Sequence, residues 1–297
     1  MARKVAQRSV RPGRVTSVGV ALQRFELLKE WLEKEAPETV SKSAFKAIMR
    51  LAEESACLHR AYHCYTSFAA VKGIFGGING AMWRSTNLVS SKLNDWNESG
   101  KYGKKTEALK TCIVCFNHDT AEDANLWWLY AKGNPKSLRV TLPQPAFKKW
   151  CDYLKKDKVV AADVVYAAVR NDGDRYPQAR QNVLRWEDAT IVVQNLEKLI
   201  RDRNYTGRLK DYEWRSERET RLIAKIDAKS DDRFVKFDIP DDVIRELRFT
   251  TSPWATDADY IEMRDEVAAL LERYGWKKTR ENFRSSVLEG KMNVVLR

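Results

Sequence analysis

Apolar and polar positions along the chain change period several times. Residues 111–116, Thr-Cys-Ile-Val-Cys-Phe, form a short apolar run of strand length and predict a buried strand. Residues 137–142 alternate and predict another, ended by Pro143 and Pro145. Upstream, residues 59–67 read as an aromatic strand running into a helix cap, with a short helix over 68–75 and a turn at Gly76, Gly77 and Gly80. Residues 82–86 suit a short strand. Residues 125–131 suit a short aromatic helix closed by Gly133, residues 146–156 a further helix, and residues 158–169 a β-rich segment.

Helical spacing recurs near the start. Leu22, Phe25, Leu28, Trp31 and Leu32 predict a helix over 18–35 stopped by Pro37, and Phe45, Ile48, Met49 and Leu51 predict a second that ends near Cys57. Toward the end, Ile191, Val192, Leu196, Leu199 and Ile200 predict an amphipathic helix over 187–203. Residues 233–238 and 243–250 are expected as strands, and residues 287–296 as a closing strand or edge hairpin. Residues 257–274 are expected as a helix with Ile261, Val267, Leu270 and Leu271 inward. Helices stand before, between and after clustered strands without regular β-α-β alternation. The expected class is α+β, a mixed, largely antiparallel sheet with flanking helices and an N-terminal helical hairpin. The expected organisation is a basic flexible arm over 1–17, the hairpin over 18–57 and an α+β main domain over 58–297.

One stretch combines apolar periodicity with dense charge. Read as extended chain, residues 217–224 place Glu217, Glu219, Arg221 and Ile223 on one face and Arg218, Thr220, Leu222 and Ala224 on the other. Two carboxylates and a guanidinium in a row suit either an exposed edge strand with solvated ion pairs or a cleft. In a cleft, arginines would keep the carboxylates ionised while their mutual crowding raises one pKa.

Charge adds a second feature. The 297 residues carry a formal +12, and Arg3, Lys4, Arg8, Arg11 and Arg14 fall within the first fourteen residues, which hold no acid. Such an arm suits a polyanion such as nucleic acid, and it equally suits simple solubility. No segment approaches the ~20 apolar residues of a membrane helix, and the N-terminus lacks a signal peptide's apolar centre. No membrane association is expected, and the expected location is the cytoplasm. The five cysteines, Cys57, Cys64, Cys112, Cys115 and Cys151, are unevenly spaced, as suits reduced thiols.

Familiar chemical motifs are absent: there is no Walker loop, dinucleotide fingerprint, HExxH helix or G-x-S-x-G elbow. Cys112, Cys115 and His118 have metal-like spacing, but a strand would send the two cysteines to opposite faces, and no metal is expected. His63 stands beside Tyr62, Tyr65 and Thr66, as a structural histidine or a ligand. Trp127, Trp128 and Tyr130 suit a core or a stacking wall for a flat ligand.

Taken in order, residues 62–67, Asn94-Asp95, Cys115-Phe116, the Trp-Trp-Leu-Tyr-Ala of 127–131 and the Trp-Arg-Ser-Glu-Arg-Glu-Thr-Arg of 214–221 resemble the signatures of a family of bacterial and phage proteins known as a domain of unknown function. The resemblance covers about residues 58–290, with Trp96 where that family commonly has proline and Thr220 where it commonly has tyrosine. More distantly, His63, Thr66, Ser67, the helix from Phe68 and the Glu217-x-Glu219 pair are similar in order to ADP-ribosyltransferases, although His63 to Thr66 is one residue wider than their usual His-x-Thr. That resemblance implies NAD as substrate, with His63, Tyr65, Thr66, Arg221, Trp127 and Tyr130 around it. It also implies Glu219 as the catalytic carboxylate with Glu217 beside it. The leading expectation is therefore an ADP-ribosyltransferase-like enzyme in a toxin or phage-conflict role, and the basic surface suits a nucleic acid or a nucleic-acid-associated protein as its acceptor. The alternatives are a non-catalytic nucleic-acid-binding or protein-interaction module, and a nuclease using Asp95, Glu217, Glu219 and a divalent metal.

Overall fold

The computed structural model describes residues 42–87, 110–118, 121–168, 183–186, 189–192, 196–201, 205–225 and 235–289. The predicted first helix, the basic arm with Arg3, Lys4, Arg8, Arg11 and Arg14, and the Asn94-Asp95 loop lie outside them.

Eight strands form the main sheet. Six lie side by side in the order β13 (Arg248–Thr251), β5 (Ser137–Pro143), β1 (Ala61–Ser67), β4 (Thr111–Asn117), β11 (Glu219–Lys225) and β6 (Val160–Asp163). Strand β14 (Phe283–Arg284) flanks β13, and β3 (Thr86–Asn87) pairs with β4. All pairings are antiparallel except that of β13 with β14. The α+β class follows, with the mixed, mostly antiparallel sheet that the patterning predicts. A four-stranded sheet takes the order β10 (Leu209–Asp211), β7 (Val165–Ala168), β8 (Val183–Trp186), β9 (Ala189–Val192), and β2 (Met82–Arg84) pairs with β12 (Lys236–Asp238).

Alternation decides which face of the main sheet becomes the core. Tyr62, Val114, Phe116, Val140, Leu142, Leu222 and Phe249 occupy alternate strand positions and meet helices α2 (Phe68–Phe75), α3 (Gln144–Leu154) and α6 (Asp257–Leu271). Tyr62 stacks on Phe147, and Trp150 donates its indole N–H to the Asp238 carbonyl at 2.8 Å. The predicted cap is present: Ser67 Oγ accepts from Ala70 N at 3.2 Å and starts α2. Helix α1 (Lys42–Ser55) packs through Phe45, Ile48, Met49 and Ala52 on the small sheet, together with α4 (Leu196–Arg201). A one-turn helix, α5 (Asp241–Ile244), precedes β13.

Several segments differ from the sequence reading for local reasons. Ile191 and Val192 belong to strand β9, and only Leu196–Arg201 is helical in that region; the run Ala-Thr-Ile-Val is β-branched and pairs with β8. Asp241–Ile244 is helical where a strand was expected from 243, because Pro240 opens a turn. In α6 the inward residues are Met263, Val267 and Leu271, while Ile261 is half-exposed. Trp127–Ala131 is a π-helical turn following Ala124–Leu126. The edge of the sheet after β13 is Phe283–Arg284, Val287 is exposed, and residues 290–297 lie outside the described set. No helix among the described residues is long and apolar enough to cross a membrane.

Strands β6 and β7 are separated only by Val164, whose N–H donates to the Glu219 carbonyl at 2.8 Å. The chain thus leaves the large sheet and enters the small one at Glu219. That junction holds the site.

Candidate active site

The second face of the main sheet is polar and also covered. Register places Thr141, His63, Asn117 and Glu219 in one row across β5, β1, β4 and β11, through the pairs His63 with Thr141, His63 with Asn117, and Glu219 with Asn117. Side chains of directly paired residues share a face, so His63 and Glu219 lie on one side, about 10 Å apart in Cα position with Asn117 between them. The next row on that face holds Arg139, Tyr65, Cys115 and Arg221. Thr66 alternates to the opposite face and is not part of this surface. Cys112 and Cys115 likewise face opposite sides of β4.

Glu217 and Glu219 reach the same point from different elements. Glu217 is not in the strand; it ends a 3-10 helix, Tyr212–Glu217, and Arg218 in the left-handed region (φ 43°) turns the chain into β11. Both carboxylates are buried, at 2 % exposure. Lys210 from β10 places Nζ 2.5 Å from Glu217 Oε2 and 2.7 Å from Glu219 Oε1. Arg221 Nε donates to Glu219 Oε2 at 2.7 Å, and the Tyr130 hydroxyl donates to Glu217 Oε1 at 3.0 Å. Glu219 N–H donates to the Tyr166 hydroxyl at 3.0 Å, Asn117 Nδ2 donates to the Glu217 carbonyl at 2.6 Å, and Lys210 Nζ sits 4.9 Å from the centre of the Trp214 ring.

The two acids titrate in opposite directions. Burial, then the negative charge of Glu219, raises the Glu217 carboxyl to about 8. Burial also acts to raise Glu219, but Arg221 and Lys210 overcome it and hold that carboxyl well below its ordinary value. One buried acid therefore carries a proton near neutrality while its neighbour stays an anion. That division suits a site where charge develops on a bound molecule.

A cleft opens beside the pair, lined by Cys64, Tyr65, Cys115, Phe116, Asn117, Tyr130 and Glu219. Its volume is about 40 Å³, several times the ~10–15 Å³ that one water requires and far below the ~300–1,000 Å³ of a typical ligand pocket. Of the residues the sequence points to, the structure brings Tyr65, Tyr130, Glu219, Glu217 and Arg221 together here. His63 lies one row-position behind Asn117, with Nδ1 2.9 Å from Thr141 Oγ1. Trp127 is fully buried, its ring edge-on to Tyr65 at 4.8 Å and its N–H on Glu122 Oε1 at 2.9 Å, so it forms the floor beneath the π-turn and not a stacking wall.

A second polar cluster lies at the β6 end of the other face. Asp163 is buried and receives Ser55 Oγ, Thr220 Oγ1 at 2.7 Å and His59 Nε2 at 2.9 Å; His118 Nδ1 is 2.9 Å from Thr220 Oγ1. Burial acts to raise the Asp163 carboxyl, but His59 and then His118 overcome it and bring it to about 2. Ligand atoms of His59, His118 and Asp163 lie within 4.8 Å of one another. The two imidazoles, however, stack at 3.6 Å with 7° between planes. A ring nitrogen directs its lone pair in the ring plane, so two parallel rings at that spacing cannot both aim at one ion without rotating. As they stand, these residues form a hydrogen-bonded hub joining α1, β4, β6 and β11.

Comparison of the chain with protein-family models, with curated proteins and with solved structures finds no match. The site's chemistry therefore rests on its own geometry.

Lys210, Tyr166, Asp163 and His59 were not singled out in the sequence. Asp163 had a signal, a lone carboxylate between Ala161-Ala162 and Val164-Val165 that must be paired if that run is buried. Lys210 had none, since only the turn through 212–217 brings it back over Glu219.

Proposed function

We propose that the protein is an ADP-ribosyltransferase-like enzyme that takes NAD as substrate, with Glu219 as the catalytic carboxylate and Glu217 as its protonated neighbour. The observation that carries the reading is a buried acidic pair of which one member, Glu219, lines a cleft and is held ionised by Lys210 and Arg221. In the reaction, the bond between ribose C1′ and the nicotinamide nitrogen breaks, its electron pair leaves with nicotinamide, and positive charge grows on the ribose. A fixed carboxylate stabilises that charge without reorganising. An acceptor nucleophile then bonds to C1′ and gives up its proton. Lys210 and Arg221 each donate to a different oxygen of Glu219 and so fix the carboxylate at the edge of the cleft. Tyr65 and Tyr130 flank the place where the ribose would sit, and the π-turn carrying Tyr130 is a kind of distortion found at functional sites. Entry of a dinucleotide requires that turn to yield, given the size of the cleft. The basic arm suits a nucleic acid or a nucleic-acid-associated protein as acceptor.

The test is nicotinamide release from NAD by the full chain, alone and with RNA, DNA and basic proteins as acceptors. Release supports the reading, and its absence with every acceptor overturns it.

A second reading is favoured by the small cleft and by the cationic partner already present on each carboxylate. On it, the cluster ties the two sheets together and the chain is a non-catalytic nucleic-acid-binding or protein-interaction module. It predicts salt-sensitive nucleic-acid binding that survives Glu219→Gln and weakens when residues 1–14 are removed.

A further inference from the structure

Two cysteines from distant parts of the chain meet at one point. Cys57 follows α1, the helix that packs on the small sheet, and Cys151 lies in α3, a helix of the main core. Gln144, the first residue of α3, holds the segment after α1 in place: its N–H donates to the Arg60 carbonyl at 3.0 Å and its Nε2 to the Cys57 carbonyl at 2.7 Å. Cys151 stands about two turns further along α3 on the same face, and the two thiols are hydrogen-bonded to each other. Cys57 packs against the main core and stays half-buried, whereas Cys151 is buried.

The two thiols are not equivalent. The hydrogen bond from Cys151 lowers the pKa of Cys57 and outweighs burial there, while the same bond, together with burial, raises that of Cys151. A more accessible, more acidic thiol with a second thiol in contact behind it is the arrangement of an attacking and a resolving cysteine. We infer that Cys57 and Cys151 form a redox site, closed to a disulfide by a low-molecular-weight disulfide of the glutathione class and reopened by the corresponding thiol. The Cys57 thiolate bonds to one sulfur of the small disulfide, whose S–S bond breaks, and the departing thiolate takes up a proton. Cys151 then gives up its proton and bonds to the Cys57 sulfur, and the second small thiol leaves. The pair has lost two electrons and two protons, and the small disulfide has become two thiols. The new bond ties the end of α1 to α3, and so the cover of the small sheet to the main core. Nothing in this chemistry depends on the reaction at Glu219.

The experiment treats the full chain and its Cys57→Ser and Cys151→Ala variants, all folded, with oxidised glutathione. Thiols are then counted after denaturation, linked peptides are mapped by mass spectrometry, and thermal unfolding midpoints are compared. The parent is expected to lose two of its five thiols and to give one peptide pair joined through Cys57 and Cys151. Its midpoint should rise by about 5–10 °C, because the bond closes the long loop 57–151 in the unfolded chain. Dithiothreitol should reverse all three changes. Cys151→Ala, which lacks the resolving thiol, should instead hold a glutathione on Cys57. Cys57→Ser, a change at a half-buried position, should gain neither the link nor the rise, and it serves if the alanine variant does not fold. A parent that keeps all five thiols, a link between any other pair, or a linked parent with an unchanged midpoint overturns the site. So does a folded Cys151→Ala variant whose Cys57 takes up no glutathione.

Discussion

Glu217 and Glu219 belong to different secondary structures, yet their carboxylates meet at one ammonium, that of Lys210, 2.5 Å from the first and 2.7 Å from the second. The left-handed Arg218 between them makes this possible, since an extended chain would have set the two side chains in line along the strand.

Removing the shared cation leaves the acids facing each other. Lys210→Met is expected to destabilise the fold by about 3–5 kcal/mol, the range for breaking a buried ion pair from one side. Urea denaturation measures it. A second change, Glu217→Gln, should restore part of the loss in the Lys210→Met background, and failure to do so would separate the lysine from the pair.

Stability should fall as pH rises across neutrality because of Glu217. Its folded-state pKa of about 8 lies above the ordinary value of 4.5, so between those values the folded state binds a proton that the unfolded chain has released. Unfolding free energy measured by denaturant between pH 5 and pH 8 should therefore decline more steeply in the parent than in Glu217→Gln. Equal slopes would show that Glu217 is ionised throughout.

The Asp163 hub acts at the other end of the scale. Its carboxyl titrates at about 2 when folded against an ordinary 3.8, so its contribution is complete above about pH 4 and is lost as pH falls toward 2. Asp163→Asn keeps the shape but removes the negative charge facing His59 and His118. It should cost about 2–3 kcal/mol at pH 7, with the gap to the parent closing as pH falls from 4 to 2 in acid denaturation. A gap that persists unchanged would deny the carboxylate its role.

The parts of this fold legible in the sequence are those whose cause is local. Strands β4 and β5, the Ser67 cap and the helix Phe68–Phe75 each follow from a few neighbouring residues, and the structure places them where the pattern does. Ile191 and Val192 fit a helical period as well as a strand, as short apolar runs do, and only pairing with β8 decides for the strand. At the site, the acidic pair was visible as charge inside an apolar strand. Its partners were not: Lys210 and Tyr166 arrive from the small sheet, through contacts between segments that no spacing rule connects.

The most direct test compares nicotinamide release from NAD by the full chain and by Glu219→Gln, both shown by thermal unfolding to be folded. The account predicts release by the parent and a loss on the order of 100-fold or more in the variant, as expected when a preorganised electrostatic contact to a transition state is removed. Equal release by the two proteins would contradict it.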